Sequence, residues 1–313
     1  MKVAIIDMGT NTFNLSVFDI HRKPYTFRLL FRDKCNVLLG GENRLTEHFI
    51  DEEATIRAVK ALKKHIQSAQ NYGVQKIAAF ATSAVREAKN QKEFLKICQA
   101  ETGLNIKVLS GNEEAEYIYE GVRLAVDIGN EPVLIMDIGG GSTEFVIADK
   151  TTIYWRHSFM LGISRLLQIF SPSDPVSDDE IKEICNYLSK ETQLLKQALK
   201  RTPVTTLIGS SGSFETLVDL VLGVLHEMEK PNEKTKSYHI AIEDFMLISR
   251  ILIRSTTNER RRMKGMDPMR VELMVLAVIF IRYIILEFNI QSIIQSSYAI
   301  KEGALRKITE KNI

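Results

Sequence analysis

A segment at the start of this 313-residue chain recurs near its middle, and this repeat limits the folds that the chain can adopt. Residues 3–19, VAIIDMGTNTFNLSVFD, align without gaps on residues 133–149, VLIMDIGGGSTEFVIAD, with the same apolar pattern. Each copy predicts a strand, an Asp-x-Gly turn and a second strand. The copies lie too far apart for a solenoid repeat, so we expect two similar α/β domains whose hairpin turns face each other.

Helix and strand patterns alternate between and after the two copies, which is typical of layered α/β proteins. The predicted helices cover residues 51–73, 91–100, 113–126, 162–170 and 178–200, with a last one from residue 299. The predicted strands cover residues 74–80, 106–109, 153–159, 204–208 and 293–295. No Pro-rich or Gly/Ser-rich linker separates the two halves, and we expect the domain junction near residues 121–132.

Composition narrows the class of protein. Hydrophobic residues make up 45% and charged residues 26%, which excludes a disordered or low-complexity chain. The net charge of +2 gives no support for nucleic-acid or membrane-surface binding. The most apolar stretch, 271–288, is interrupted by charges and is shorter than a span of ~20 residues, so it predicts a buried core helix.

Cysteine usage and the start of the chain bear on the cellular compartment. The three cysteines, Cys35, Cys98 and Cys185, lie far apart and form no CxxC motif, so we expect reduced thiols. The first apolar run has only four residues before Asp7 and predicts a buried strand rather than a signal peptide. A cytoplasmic protein is the resulting expectation.

The strongest chemical signal is the motif DIGGGSTE, residues 137–144. Its glycines let backbone amides approach an anion closely, and its hydroxyls add donors. The candidate phosphate-binding residues here are Gly139, Gly140, Gly141, Ser142 and Thr143. Two acids, Asp137 and Glu144, would repel a phosphate without an intervening cation, so Mg²⁺ or another divalent ion is implied. The alternative, a plain glycine hairpin, leaves both acids unexplained.

Two further glycine loops are candidate anion sites. The loop DMGTNT matches the first motif by the repeat, and its candidates are Asp7, Gly9, Thr10 and Asn11. The loop GSSGS follows a predicted strand and begins a helix, and its candidates are Gly209, Ser210, Ser211 and Gly212. A tight strand-to-helix connection is the alternative for the last loop. The chain has no GxxxxGK[ST] motif, which excludes a P-loop mechanism.

Charged residues in two other segments could act on a phosphate. SGNEEAE, residues 110–116, places three acids in the first turn of a predicted helix, where favourable interaction with the helix dipole is the alternative explanation. Arg86 in ATSAVREA could bind phosphate through two hydrogen bonds, and an ion pair on a helix surface is the alternative.

Together these segments resemble the exopolyphosphatase and guanosine pentaphosphate phosphatase family of the actin-like ATPase superfamily. The resemblance runs from Met1 to about Lys307 and depends on DxGTNT, ATSAVREA, SGNEEA, DIGGGSTE and GSSGS. It implies an α/β fold of two actin-like (ribonuclease H-like) domains with an interdomain cleft. We expect residues 1–124 in the first domain, with a C-terminal helix 301–313 packing back on it, and residues 125–300 in the second.

The resemblance also implies roles for individual residues. Glu114 matches the catalytic acid that orients and deprotonates water, and a one-residue difference in spacing keeps Glu113 open. Asp137 and Glu144 match acids that hold the metal and organise water, which makes Glu144 catalytic as well. Arg86 matches the substrate arginine, and the glycine loops match the phosphate loops.

The implied reaction is metal-dependent hydrolysis of a phosphoanhydride, releasing terminal orthophosphate from inorganic polyphosphate. Guanosine pentaphosphate hydrolysis, a phosphotransferase or kinase of the same superfamily, and a non-catalytic nucleotide sensor are the alternatives. The expected partners are the phosphate substrate alone, without nucleic acid or membrane, and homodimerisation is left open.

Some features depart from the family pattern. We expect a short, two-domain form without the extra helical domains of long family members. SYAIKEG, residues 297–303, differs from the family's SxxGLREG at Ala299 and Lys301. KGMDPMR, residues 264–270, keeps the family's Gly, Pro and Arg. The basic segment 250–270, which includes the arginine cluster 260–262, has a local charge of +5. A solvated helix end explains this charge, and a surface for a polyanion tail is the alternative.

Overall fold

The computed structural model describes residues 1–22, 25–40, 48–228 and 235–310. The chain divides into two compact units: unit 1 comprises Met1–Tyr117 with Ile300–Ile313, and unit 2 comprises Ile118–Ala299. The first division falls earlier than the predicted boundary after residue 124, within the same helix. The last three residues of the predicted C-terminal helix, 311–313, lie outside the described residues.

Strands and helices alternate along both units. The strands are β1 (Lys2–Met8), β2 (Thr12–Arg22), β3 (Tyr25–Asn36), β4 (Lys76–Ala81), β5 (Ile106–Val108), β6 (Val133–Ile138), β7 (Thr143–Ala148), β8 (Ile153–Phe159), β9 (Thr206–Ser210), β10 (Ser237–Ile240) and β11 (Ser292–Ser296). The helices are α1 (Glu52–Asn71), α2 (Ser83–Arg86), α3 (Gln91–Thr102), α4 (Gly111–Ala125), α5 (Ile163–Phe170), α6 (Asp178–Glu191), α7 (Gln193–Arg201), α8 (Ser211–Leu220), α9 (Ile242–Arg254), α10 (Thr257–Arg262), α11 (Leu273–Glu287) and α12 (Ile300–Glu310). A π-helical turn, Val221–Leu225, continues α8.

Unit 1 is built on a five-stranded sheet in the order β3-β2-β1-β4-β5. β1 pairs antiparallel with β2 and parallel with β4, and its residues Val3–Ile6 are fully buried. Helices α1 and α3 pack together, and α12 packs against β1. Local capping fixes two helix ends: the Asp51 carboxylate accepts from the Ala54 amide at the start of α1, and α3 is followed by Gly103 with a φ of 71°.

Unit 2 repeats this order and adds one strand. Its sheet runs β8-β7-β6-β9-β11-β10, and β10 pairs antiparallel with β11 at the edge. Strands β6 and β7 are buried along their whole length, and α11 is buried on most sides, as predicted for the apolar stretch 271–288. Among the described residues, no helix is both long enough and apolar enough to cross a bilayer.

The two copies of the sequence repeat form equivalent hairpins, so this prediction is confirmed. In β1 and β2, Asp7 lies opposite Asn14, and in β6 and β7, Asp137 lies opposite Glu144. The Gly9 amide donates to the Thr12 carbonyl at 3.1 Å, and the Gly139 amide donates to the Ser142 carbonyl at 3.0 Å. A Cβ on either glycine would lie close to that same carbonyl, which explains glycine at both turns.

Other predictions need correction. The long helix expected over 178–200 is two helices, α6 and α7, separated at Thr192. Thr192 is fully buried, and its hydroxyl lies 2.7 Å from the Leu188 carbonyl and 3.0 Å from the Tyr283 hydroxyl of α11. The helix thus breaks where the Thr192 hydroxyl contacts both the preceding turn of α6 and the neighbouring helix α11. The strands β3 and β10, each at one edge of its sheet, were not predicted, whereas the opposite edge strands β5 and β8 were.

The arginine cluster 260–262 is only partly a surface feature. The Arg260 side chain is 4% exposed and donates to the carbonyls of Ser255 and Val271 and to the Asp174 carboxylate. Arg260 therefore belongs to the interior of unit 2, and its inclusion in a polyanion surface was wrong. Arg261 and Arg262 are exposed.

Candidate functional site

The unit-2 loop, residues 139–142, is tied back by its carbonyl groups. The Ile163 amide donates to the Gly139 carbonyl at 2.9 Å, and the Ser164 amide donates to the Gly140 carbonyl at 3.0 Å. The Arg165 side chain is buried, and its Nε donates to the Gly141 carbonyl at 3.2 Å. In the described part of the chain, no backbone carbonyl accepts from the Gly140 amide. The loop thus turns its acceptors toward α5 and leaves amide donors that can bind an anion.

The two acids of the second hairpin lie side by side on one face of the sheet. Asp137 and Glu144 are opposite residues of β6 and β7, a position where Cβ atoms lie about 4.5–5.5 Å apart. Their exposures are only 8% and 1%, so both carboxylates are held away from bulk water. Asp137 accepts from the Ser210 hydroxyl at 2.5 Å, and Glu144 accepts from the Ser158 hydroxyl at 2.6 Å.

The third glycine loop lies mostly in regular structure. Gly209 and Ser210 end β9, and Ser211 begins α8 with a φ of 68°, a left-handed conformation that a serine rarely adopts. The Ser211 hydroxyl donates to the Ile138 carbonyl at 2.9 Å, which ties this turn to the end of β6. The Phe214 ring occupies the space beside Gly209, so packing alone explains this glycine.

A half-buried arginine, Arg270, which was not among the predicted site residues, lies on this loop. The Arg270 guanidinium occupies the space where a Gly212 side chain would stand, and it lies 3.5 Å from the Ser213 hydroxyl. Burial lowers the pKa of Arg270, while the charges of Asp267, Glu215 and Asp137 oppose that effect. The sequence signal that could have identified Arg270 as a site residue is its place in the family motif KGMDPMR. Only the folded chain shows that this arginine lies beside Gly212.

The unit-1 loop, residues 9–12, is held in the same way as the unit-2 loop. The Leu39 amide donates to the Thr10 carbonyl at 2.8 Å, and the amides of Val37 and Leu38 donate to the Asn11 carbonyl. In both units, therefore, the segment that follows the third strand of the meander binds the carbonyls of the turn. Arg57 completes this support by donating to the Val37 carbonyl at 2.8 Å.

The acid of the first hairpin lies beside a cation. Burial raises the pKa of Asp7, and the positive charge of Lys301 in α12 partly offsets this increase. The Asn14 amide group donates to the Asp7 carboxylate at 3.5 Å. Lys301 stands where the family pattern has arginine, so this departure retains a positive charge near Asp7.

The two neighbouring glutamates of α4 have different surroundings. Glu113 forms a capping box with Ser110 and an ion pair with Lys107 at 2.6 Å, contacts that lower the pKa of Glu113 to about 2. Glu114 is 7% exposed and accepts from Arg86 at 2.6 Å. Arg86 also donates to the Leu109 carbonyl at 3.1 Å, which fixes the position of its guanidinium.

The structure thus groups the candidates within each unit. In unit 1 it pairs Arg86 with Glu114, and in unit 2 it gathers the two acids of the hairpin with Ser210. Thr143 is fully buried, and its hydroxyl donates to the Leu161 carbonyl at 2.9 Å. The hydroxyl hydrogen of this candidate phosphate-binding residue is therefore used within the protein. Four further residues contact or support these groups and were not among the predicted site residues: Ser158, Arg165, Arg270 and Lys301.

Comparison with known proteins identifies related chains. The model of the Ppx/GppA phosphatase family matches residues 16–312. The chain is 27% identical over 311 residues to the bifunctional 3-dehydroquinate synthase/phosphatase of Fusobacterium nucleatum, with 96% of this chain but only 46% of that protein covered. It is 24% identical over 310 residues to exopolyphosphatase 1 of Mycobacterium tuberculosis, with 98% and 88% covered. The chain therefore spans less than half of the Fusobacterium protein.

Solved structures show the same architecture. An exopolyphosphatase from Cytophaga hutchinsonii superposes with a TM-score of 0.94 at 35% identity, covering 99% of this chain and 98% of that one. The Ppx/GppA family member of Aquifex aeolicus gives a TM-score of 0.83 at 24% identity, with 100% and 99% covered, which shows likeness of fold. The predicted fold class, an α/β fold of two actin-like domains, is confirmed.

Proposed function

We propose that this chain, which belongs to the Ppx/GppA phosphatase family, hydrolyses phosphoanhydrides and releases terminal orthophosphate from inorganic polyphosphate. The observation that carries the proposal is the duplicated loop, whose turn carbonyls are bound by neighbouring backbone in both units. Two such loops suit a substrate that presents repeated phosphoryl groups. The names of the Cytophaga and Mycobacterium proteins support polyphosphate as the first choice of substrate.

In unit 1, Glu114 is assigned as the general base. It is buried beside Arg86, whereas Glu113 is engaged in the cap of α4 and contacts Lys107. A base must accept a proton from water, and the capping contacts of Glu113 would be lost in doing so. Arg86 is assigned to the transferring phosphoryl group, because a guanidinium can donate two parallel hydrogen bonds to phosphate oxygens.

In unit 2, the donor set fits a hard divalent cation. Asp137 and Glu144 are two buried, adjacent carboxylates, and Mg²⁺ in phosphoryl-transfer sites commonly has one or two carboxylates, with water and substrate supplying the other ligands. When bound, Mg²⁺ would neutralise negative charge on the substrate. Ser210 and Ser158 orient the two carboxylates through the hydrogen bonds described above.

Arg270 favours a phosphate over a nucleoside base at the third loop. Its guanidinium occupies the space beside Gly212, and Phe214 occupies the space beside Gly209. A kinase of this superfamily would require that loop to receive an adenosine. Guanosine pentaphosphate stays the second candidate, because its terminal phosphates present the same chemistry as polyphosphate.

Replacing Glu114 tests the proposal. Glu114→Gln retains the shape of the side chain but cannot accept the proton, so kcat for phosphate release should fall about 10²–10⁴-fold. The matched control, Glu113→Gln, should keep near-normal kcat, because glutamine can still cap the helix. Normal kcat in Glu114→Gln, with an unchanged melting temperature, would show that this base assignment is wrong.

Substrate choice needs a parallel assay. Phosphate release from polyphosphate, guanosine pentaphosphate and ATP should be measured with the same preparation, with Mg²⁺ and with excess EDTA. We expect polyphosphate to be the best substrate and EDTA to abolish release. Full activity in EDTA would contradict the divalent-ion assignment, and transfer to an added acceptor would indicate a kinase.

A further inference from the structure

A cluster of three metal-ligating side chains lies in unit 1 apart from the residues assigned above. Asp33 and Cys35 project from the same face of β3, and His65 comes from α1. One ligand atom of each side chain, a carboxylate oxygen, Sγ and a ring nitrogen, lies within 4.8 Å of the other two. We propose that this cluster binds a transition-metal ion such as Zn²⁺.

The orientation of the His65 ring supports the proposal. His65 is fully buried, and its Nε2 lies 3.1 Å from the Phe13 carbonyl, so Nε2 carries the hydrogen and donates. Burial disfavours a second proton on the ring, and neutral imidazole then has its lone pair on Nδ1. Within the described residues, Nδ1 has no hydrogen-bond partner although it lies 3.4 Å from an Asp33 oxygen. Two acceptors that face each other in this way can bind one cation between them.

The spacing matches tetrahedral coordination. Two nitrogen or oxygen ligands at about 2.0–2.2 Å from a tetrahedral Zn²⁺ lie about 3.4 Å apart. The observed separation between His65 Nδ1 and the Asp33 oxygen is 3.4 Å. Cys35 is a free thiol, and a thiolate with an imidazole favours zinc over the hard ion proposed for the other unit. Water would complete the fourth position.

The Lys64 ammonium would compete with the proposed metal ion for Asp33 and Cys35. This ammonium lies 2.8 Å from the Asp33 carboxylate and 3.8 Å from the Cys35 sulfur, so it partly supplies the positive charge that the cluster needs. The Lys64 side chain is 56% exposed and can move into solvent when an ion binds. Lys64→Gln should therefore increase the affinity for Zn²⁺.

The cluster lies next to the support of the unit-1 loop. Cys35 is paired with Phe13 in the β2–β3 register, and Val37, two residues further on, donates to the Asn11 carbonyl. An ion that joins β3 to α1 at this point would restrain the segment that holds the loop. Zn²⁺ binding should therefore raise the melting temperature of the protein.

Zinc titration of the whole, reduced, metal-free protein tests the site. Competition with a chromophoric chelator, in excess Mg²⁺, should reveal one Zn²⁺ per chain, and Co²⁺ should give a thiolate charge-transfer band. Cys35→Ser and His65→Gln should each weaken Zn²⁺ binding by about 10–100-fold or more. That range is typical when a residue hydrogen-bonded to a metal ligand is lost, and here a ligand itself is lost. The control Cys185→Ser, which alters a partly buried thiol of unit 2, should bind normally.

Two results would overturn the proposal. One is the absence of Zn²⁺ binding by the folded wild-type protein, which would leave the cluster as a histidine–aspartate–lysine contact. The other is equal Zn²⁺ affinity in wild type and Cys35→Ser. Cys35 is partly exposed, so this variant keeps the test valid if the fully buried His65 cannot be replaced without unfolding.

Discussion

The two hairpin loops of this chain share a backbone design and differ in their chemistry. In each, a glycine amide closes the turn, and the segment after the third strand donates to the outward carbonyls. The donors come from an irregular segment, residues 37–39, in unit 1, where Leu38 has a φ of 51°. In unit 2 they come from the start of α5 and from the Arg165 side chain. The same orientation of the loop can thus be reached with unrelated supporting sequences.

The difference lies in the residue opposite the hairpin's aspartate. Asp7 faces an amide, Asn14, and lies near the charge of Lys301, whereas Asp137 faces a second carboxylate, Glu144. A pair of buried acids can hold a divalent ion, and an acid beside an amide holds one less readily. This one difference between the copies is therefore the reason for proposing the metal in unit 2 rather than in unit 1.

Glu144→Gln would make the second hairpin resemble the first, and it carries the largest expected effect in this comparison. We expect phosphate release to fall about 10²-fold or more, because one acid acting near the reacting groups is lost. Part of this loss should be recovered at higher Mg²⁺ concentration. The control is Asp149→Asn, just after β7, where the carboxylate accepts from the amides of Thr151 and Thr152 and from the Tyr154 hydroxyl. Weakening these contacts should lower the melting temperature while kcat is kept. Unchanged activity in Glu144→Gln would remove the distinction between the hairpins.

Arg86→Lys sharpens the assignment of unit 1 and should have an intermediate effect. Lysine keeps the charge but cannot maintain paired hydrogen bonds, so kcat/KM should fall about 10–100-fold. Steady-state kinetics on polyphosphate measures this loss. Arg28→Lys, at an exposed position of β3, is the control. Wild-type kinetics in Arg86→Lys would show that Arg86 serves only its ion pair with Glu114.

Asp7→Asn should have the smallest effect, and this effect depends on pH. Burial raises the pKa of Asp7 above 3.8, so the folded state binds the proton more tightly than the unfolded state. Ionisation of Asp7 therefore costs stability as pH rises above that value, and asparagine avoids the cost. The variant should melt higher at neutral pH, by about 2–4 °C for each kcal/mol relieved, and the difference should shrink at acidic pH. A variant that melts lower at neutral pH would contradict this account.

Part of the candidate site could be predicted because local sequence carries it. The glycine turns follow from a backbone requirement, since a Cβ at Gly9 or Gly139 would crowd the carbonyl three residues further on. The alternative weighed for the acids of this helix was a favourable interaction with the helix dipole, and the capping box was not predicted, although Ser110 three residues before Glu113 is its signal. Spacing alone could not separate Glu113 from Glu114, because adjacent helix residues differ only in which tertiary neighbours they meet.

The sequence by itself determined the duplicated hairpins, the α/β class and most of the helices and strands, because turn glycines and apolar periodicity act over short distances. Only the tertiary structure decided which charged residues meet. Arg270 reaches Gly212, Lys301 faces Asp7, and Arg260 is buried because distant segments pack together. The cluster of Asp33, Cys35 and His65 arises in the same way, since β3 and α1 bring its members together. Such contacts depend on packing between elements, and no local pattern in the chain encodes them.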